Sequence, residues 1–163
     1  MKVDVVTADP YRYFASLYDG IFEPTIRRAR RLGVRMLPPT ADMRVLDVGC
    51  GTGLLLDRYR EFGCELHGVD TSPSMLAIAR AMLGADADLR LVNAAQLPYE
   101  SGTFDLITCM LVLHEMDQQI REAVLAEMKR ILRPGGRILL IDYHAGPGVP
   151  LRGWLISPVV LLA

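Results

Sequence analysis

The stretch Val45-Leu46-Asp47-Val48-Gly49-Cys50-Gly51-Thr52-Gly53 decides how the rest of the chain is read. A short apolar run enters a glycine cluster, and Leu54 to Phe62 behind it has helical character and stops at Gly63. That is a strand, a tight turn and a helix. Glycine lets the backbone turn sharply and lets a ligand approach it without Cβ interference. The spacing narrows the ligand. A dinucleotide fingerprint, G-x-G-x-x-G, requires glycine where Leu54 stands, and a Walker loop requires a lysine that is not near. Asp47, just ahead of the loop, would repel a phosphate. It suits a cationic ligand, such as a zwitterionic amino acid joined to a sulfonium.

Working outward, the same alternation continues. Asp9 to Leu37 reads as helical, ended by Pro38-Pro39, and Met43 to Val48 is the first strand. Cys64 to Val69 reads as a second strand ending at Asp70, followed by an N-capping Ser72, Pro73 and a helix to Gly84. Leu89 to Val92 is a third strand, followed by the loop Asn93 to Gly102, and Phe104 to Met110 is a fourth. Asp117 to Leu132 is an amphipathic helix stopped by Pro134-Gly135-Gly136, and Arg137 to Ile141 is a fifth strand. Continuously apolar strands alternating with helices predict an α/β fold with a parallel sheet covered on both faces.

The 163 residues fit one domain, with a helical cap over 1–40, a core over 41–144 and an incomplete segment over 145–163. Hydrophobic residues make up 51% and charged residues 23%, an ordinary globular composition. The net charge of −1 gives no electrostatic reason to expect nucleic acid. The run Arg27-Arg28-Ala29-Arg30-Arg31 lacks interleaved aromatics and reads as a solvated helix face. Cys50, Cys64 and Cys109 show no metal-ligand spacing and read as free thiols of a reducing cytoplasm. The start, Met1-Lys2-Val3-Asp4, has no signal-peptide stretch, and the late apolar run Trp154 to Ala163 is too short to span a bilayer.

In open α/β sheets ligands bind beyond the carboxyl ends of the strands. Asp47 and the glycine loop, Asp70, Asn93-Ala94, Met110 with His114 beyond it, and Asp142-Tyr143-His144 all fall at such ends. Asp70 stands 21 residues after Gly49, where a carboxylate can accept from both hydroxyls of an adenosine-type ribose. His114 and His144 are the candidate acid/base residues, and His67, inside a strand, reads as structural.

These residues resemble the class I S-adenosylmethionine-dependent methyltransferases. Val45 to Gly53 looks like the family's first motif, and Gly68 to Leu76 like its second strand and helix start. Asn93 to Pro98 resembles its adenine loop, Phe104 to Ile107 its fourth strand, and Leu132 to Leu140 the turn before its fifth. The stretch Tyr11 to Asp19 resembles the opening of the branch that includes ubiquinone and menaquinone methyltransferases.

The resemblance implies a Rossmann-like sheet of strand order 3-2-1-4-5 with an N-terminal helical extension. It implies S-adenosylmethionine as cofactor and S-adenosylhomocysteine as product. Asp47, Gly49, Cys50, Gly51 and Gly53 would then hold the methionine end, and Asp70 and Thr71 the ribose. Met75 would pack on adenine, Asn93, Ala94 and Ala95 would meet its edge, and Met110 would offer its backbone. Tyr18, with Tyr11, would close the site. No metal is implied. Methyl transfer from a sulfonium is a direct displacement, with a small and apolar acceptor as the expected partner.

The chain departs from the family pattern at two places. Asn93 stands where aspartate is common, though its side-chain oxygen can still accept from the adenine amino group. The family's last helix and two strands have no residues left before Ala163, so either the sequence is a fragment or the sheet edge is left open, and an open edge beside the apolar C-terminal segment is a site for swapping or a homodimer. Two other functions are weighed: a non-catalytic S-adenosylmethionine-binding module or scaffold, and a nicotinamide-dependent oxidoreductase, which Leu54 and Asp47 disfavour.

Overall fold

The structure is a computed structural model that describes Asp9, residues 15–144 and residues 155–162, with side chains for Asp9 and residues 26–142. Helix α1 (Ala15–Met36) precedes β1 (Arg44–Val48), α2 (Leu54–Arg60), β2 (Glu65–Asp70), α3 (Pro73–Leu83) and β3 (Ala87–Leu91). Then come β4 (Phe104–Met110), a single 3-10 turn (Leu113–Glu115), α4 (Gln118–Ile131), β5 (Leu132–His144) and β6 (Leu155–Leu162). The sheet order is β3-β2-β1-β4-β5-β6. The first five strands pair in parallel, so the expected order 3-2-1-4-5 is what the chain adopts.

The apolar runs explain the layering. Along β1, Val45 joins the core on one face while Leu46 and Val48 join the core on the other. The first face is covered by Ala29 of α1, Leu55, Leu56 and Tyr59 of α2, and Leu76, Ala79 and Leu83 of α3. The second is covered by Val124, Met128 and Ile131 of α4, packed with Ile107 and Phe104 of β4. Each fully buried aliphatic side chain of this kind contributes about 1.5–3 kcal/mol of transfer free energy. Ser72 caps α3 by accepting from the Met75 N–H at 3.1 Å, with Pro73 at the first helical position. Asp117 lies just outside α4 and caps it by accepting from the Ile120 N–H.

Three expectations are corrected. The C-terminal segment does not leave β5 open: Leu155–Leu162 forms β6, antiparallel to β5, with Arg137 opposite Leu162 and His144 opposite Leu155. Ile156, Val159 and Val160 favour strand, and an edge position tolerates Pro158 because the missing N–H need not enter a ladder on both sides. The apolar C-terminal segment is thus the edge strand of this sheet. Second, β5 starts at Leu132, directly after α4, and carries Pro134-Gly135-Gly136 through a register shift against β4. Third, Asp9 is not helical. Its carboxylate accepts from the Ser72 hydroxyl at 2.8 Å and the Ser74 N–H at 3.0 Å, at the start of α3.

Candidate functional site

The carboxyl ends of β3, β2, β1 and β4 lie side by side in that order and line one cavity of about 1000 Å³, its open mouth included. Three strand spacings of about 4.8 Å span about 14 Å, so the rim can take an extended ligand laid across the strand ends. Val92, Asn93 and Ala94 line it beyond β3, Asp70 and Thr71 at β2, the glycine loop at β1, and Met110, Leu111 and Val112 at β4. Ile26 and Arg30, one turn apart on α1, complete the wall.

Asp47 is 3% exposed, and its Oδ1 accepts from the Thr108 hydroxyl at 2.7 Å. Burial pushes its carboxyl up to about 7, opposed by the Thr108 hydrogen bond and by the Arg30 charge. A buried carboxylate facing a cavity is stabilised in its ionised form by a cationic ligand group. The pH consequence has a definite sign. Between about 4 and 7 the folded chain holds a proton on Asp47 that the unfolded chain has lost, so this group makes stability fall as pH rises through that window. Urea denaturation of wild type and Asp47→Asn across that range should show the wild-type midpoint falling relative to the variant, by a few kcal/mol in all. A constant difference between the two would contradict it.

Asp70 sits at the next strand end. Its Oδ2 accepts from the Gly51 N–H and its Oδ1 from the Ser72 N–H, both at 2.8 Å. Burial nonetheless raises its pKa above the usual carboxylate value. The Thr71 backbone also hydrogen-bonds it, and of the about four lone-pair sites of a carboxylate at least one remains for a hydroxyl of a ligand. Met75 is buried and lines the cavity between Asp70 and Asn93. Asn93 is exposed at the rim, and its Oδ1 accepts from the Ala95 N–H at 2.9 Å, leaving one lone pair of that oxygen for a further donor.

The glycine loop is held close to the segment that follows β4. Gly49 has φ 71°, and a Cβ there would lie 2.4 Å from Val112 Cγ2. Gly51 has φ 53°, and a Cβ there would meet nothing within 4 Å, so its bare backbone borders open cavity space. Leu111 has φ 58°, a left-handed conformation unusual outside glycine, and its N–H donates to the Ile141 carbonyl at 2.7 Å. Cys50 lines the cavity as a small buried residue, its thiol pushed well up by burial.

Of the residues singled out by sequence, Asp47, Gly49, Cys50, Gly51, Asp70, Thr71, Met75, Asn93, Ala94 and Met110 line the cavity. Gly53 and Ala95 do not: a Cβ on Gly53 would press on Leu83 and Ala79 of α3, and Ala95 serves the Asn93 turn. His114 does not line the cavity: it stands in the turn Leu113–Glu115, of which Glu115 does, as do Val112 and Met116 on either side, and its Nδ1 lies 2.7 Å from Asp142 Oδ1. Tyr18 lies in α1 and His144 ends β5, but their side chains fall outside the described residues, as does Tyr11 altogether. His67 is buried between Glu65 and Asp88 and edge-on to Phe104, away from the cavity. Among the described residues no cluster of His, Cys, Asp and Glu is arranged to hold a metal. No described helix is long and apolar enough to cross a membrane.

Arg30 is the residue that sequence reasoning misplaced. Arg27, Arg28 and Arg31 are exposed as a solvated face requires, but Arg30 is half-buried in the cavity wall. Its signal was the four-residue step from Ile26, which puts both on the inward stripe of α1.

A model of the methyltransferase domain family matches residues 45–136, more than half of the chain. The chain belongs to the methyltransferase domain family. This domain is similar to a ubiquinone biosynthesis O-methyltransferase of Xanthomonas axonopodis pv. citri, 32% identical over 74% of the chain and 50% of that protein. It is also similar to a demethylmenaquinone methyltransferase of Thermus thermophilus, 34% identical over 74% of the chain and 56% of that protein. The chain thus spans about half the length of these curated relatives. The fold matches a solved phosphoethanolamine N-methyltransferase 2 of Haemonchus contortus in complex with S-adenosyl-L-methionine. There the TM-score is 0.74 at 23% identity, over 91% of the chain and 39% of that structure.

Proposed function

We propose that this chain binds S-adenosylmethionine along the carboxyl rim of its sheet and directs the methyl group to a small-molecule acceptor. The observation that carries the reading is the sequence of groups along the rim: Asn93, then Asp70, then the open backbone of the glycine loop, then Asp47 with Arg30 across from it. An adenine edge, a ribose diol and a zwitterionic amino acid need acceptors and charges in that order. Asp70 receives the ribose hydroxyls, Asn93 and Ala94 meet the adenine edge, and Met75 packs on the ring face. Asp47 takes the ammonium, Arg30 the carboxylate, and Met110 offers its backbone near the transferred group. When bound, the cofactor supplies an electrophilic methyl on a sulfonium, reactive in a direct displacement. The residues of the chain have only to align the acceptor and exclude water.

The relatives act in quinone metabolism by their names, which supports a small apolar acceptor here. A binding module without catalysis is the second reading. It is favoured by Asn93 and by the missing strands, of which β6 supplies one.

The test is a calorimetric comparison of S-adenosylhomocysteine with 5′-methylthioadenosine, which lacks the amino acid, on wild type and Arg30→Ala. The expected result is a loss of about 10- to 100-fold for the first ligand, the worth of one or two charge-assisted hydrogen bonds, and less than about twofold for the second. Equal losses for both would remove Arg30 from the site, and no binding of either by folded wild type would overturn the whole reading.

A further inference from the structure

Helix α1 turns two unlike faces to its surroundings. Ile26, Ala29 and, just past the helix end, Leu37 are buried, and a Cβ on Gly33 would lie 3.0 Å from the Leu139 and Ile141 side chains of β5. That stripe faces the sheet, with Arg30 beside it in the cavity wall. Arg27, Arg28, Arg31 and Arg35 are exposed on the other side, together with Leu32 at 45% and Met36 at 38%. Two rows of four-residue spacing carry them: Arg27, Arg31 and Arg35 in one, and Arg28, Leu32 and Met36 in the next. At about 100° per residue the four arginines share an arc of about 100°, along about 12 Å of helix, and Leu32 and Met36 border it.

The charge of this row is not compensated nearby. Residues 24–41 hold five arginines and no Asp or Glu. Elsewhere Arg44, Arg60, Arg90 and Arg130 each pair with a carboxylate. The four exposed arginines of α1 form no hydrogen bond or ion pair with the described residues. Arg35 has a local reason to be there, since a cation in the last turn complements the helix dipole. The others do not, because like charges four residues apart repel and weaken the helix that carries them. Such a row gains only from an anionic partner. No aromatic side chain stands in it to stack on a base, and two large apolar side chains lie at its border. Cations beside exposed Leu and Met fit a partner with anionic groups above an apolar layer.

We propose that this face of α1 docks on the surface of an anionic phospholipid bilayer, the arginines meeting headgroup phosphates while Leu32 and Met36 enter the edge of the acyl layer. The helix lies along the surface and does not cross it, so its inward stripe stays on the sheet. The proposal stands apart from the methyltransferase reading. On that reading the bilayer lies about one helix diameter, about 10 Å, from the cavity wall formed by Ile26 and Arg30.

Sedimentation of the whole chain with phosphatidylcholine vesicles, with and without 30 mol% phosphatidylserine at about 0.1 M salt, tests this. Binding should be at least about 10-fold stronger with phosphatidylserine and should weaken as salt is raised. One arginine near such a surface contributes about fivefold, so Arg31→Gln should lose about that and Arg27→Gln/Arg31→Gln/Arg35→Gln about 100-fold. Glutamine matches arginine in helix propensity, so these variants should unfold in urea as wild type does. Lys129→Gln makes the same charge change on α4, across the sheet, and should leave binding within about twofold. Leu32→Ser/Met36→Ser should lose about 10-fold with every charge kept. Equal binding to both vesicles, equal losses in Arg31→Gln and Lys129→Gln, or unchanged binding in the serine variant would overturn the proposal. So would tighter binding to a DNA duplex at equal phosphate concentration, which would make the row a nucleic-acid contact.

Discussion

Asp70→Ala is expected to weaken S-adenosylhomocysteine binding by about 100- to 1000-fold. The carboxylate already accepts backbone N–H bonds from Gly51, Ser72 and Thr71, and is fixed where β2 meets the cavity. Two hydrogen bonds from ribose hydroxyls to a charged, preoriented acceptor contribute about 1.5–3 kcal/mol each. Their loss together is about 3–6 kcal/mol, and the expected 100- to 1000-fold is the lower part of the corresponding span. Alanine also leaves the Gly51 N–H without its acceptor, which loosens the loop itself. Asp70→Asn separates the two effects. One amide oxygen can keep a backbone N–H in place, while the NH₂ cannot accept from a hydroxyl. If Asp70→Asn binds as wild type does, the carboxylate acts only on the loop and the ribose assignment fails.

The second large effect falls on folding. Gly49→Ala places a Cβ 2.4 Å from Val112 Cγ2 and forces alanine to φ 71°. The left-handed backbone costs about 1–2 kcal/mol, and overpacking about 1–3 kcal/mol more. A loss of about 2–5 kcal/mol is a large part of a typical domain stability of about 5–15 kcal/mol. The contact gives a specific rescue. In Gly49→Ala with Val112→Ala the two Cγ overlaps are gone, and a Cβ–Cβ approach of 3.2 Å and the backbone cost remain. The double variant should therefore be more stable than the sum of the single effects by about 1–3 kcal/mol, read from urea midpoints. Strict additivity would mean that the loop and the segment after β4 are not in contact.

These two residues were legible from sequence because local rules govern them. A carboxylate or glycine at the end of an apolar strand is visible wherever it stands, and the strands themselves are continuous runs. What the sequence hid depends on adjacency. Arg30 sits among four arginines that look alike, and only the packing of α1 on the sheet turns Arg30 inward and leaves Arg27, Arg28 and Arg31 outside. Asp142 and His114 are 28 residues apart, and their contact exists because β4 and β5 pair in register from Leu106 opposite Arg137. Strand β6 was hidden differently. An apolar stretch broken by Ser157 and Pro158 has no decisive period, and the ladder that β5 offers is what selects strand. Asp9 shows the limit of helical periodicity, since a carboxylate near an N-cap serine can leave its own helix to satisfy another helix's first turn.

The central claim is that the rim holds the cofactor, and calorimetric titration of the folded wild-type chain with S-adenosylhomocysteine tests it most directly. The account predicts one site per chain with a Kd of about 1–100 μM, an ordinary range for a product of this size. A chain that unfolds cooperatively, and is therefore folded, yet releases no heat and shows no thermal stabilisation at about 1 mM ligand would contradict it.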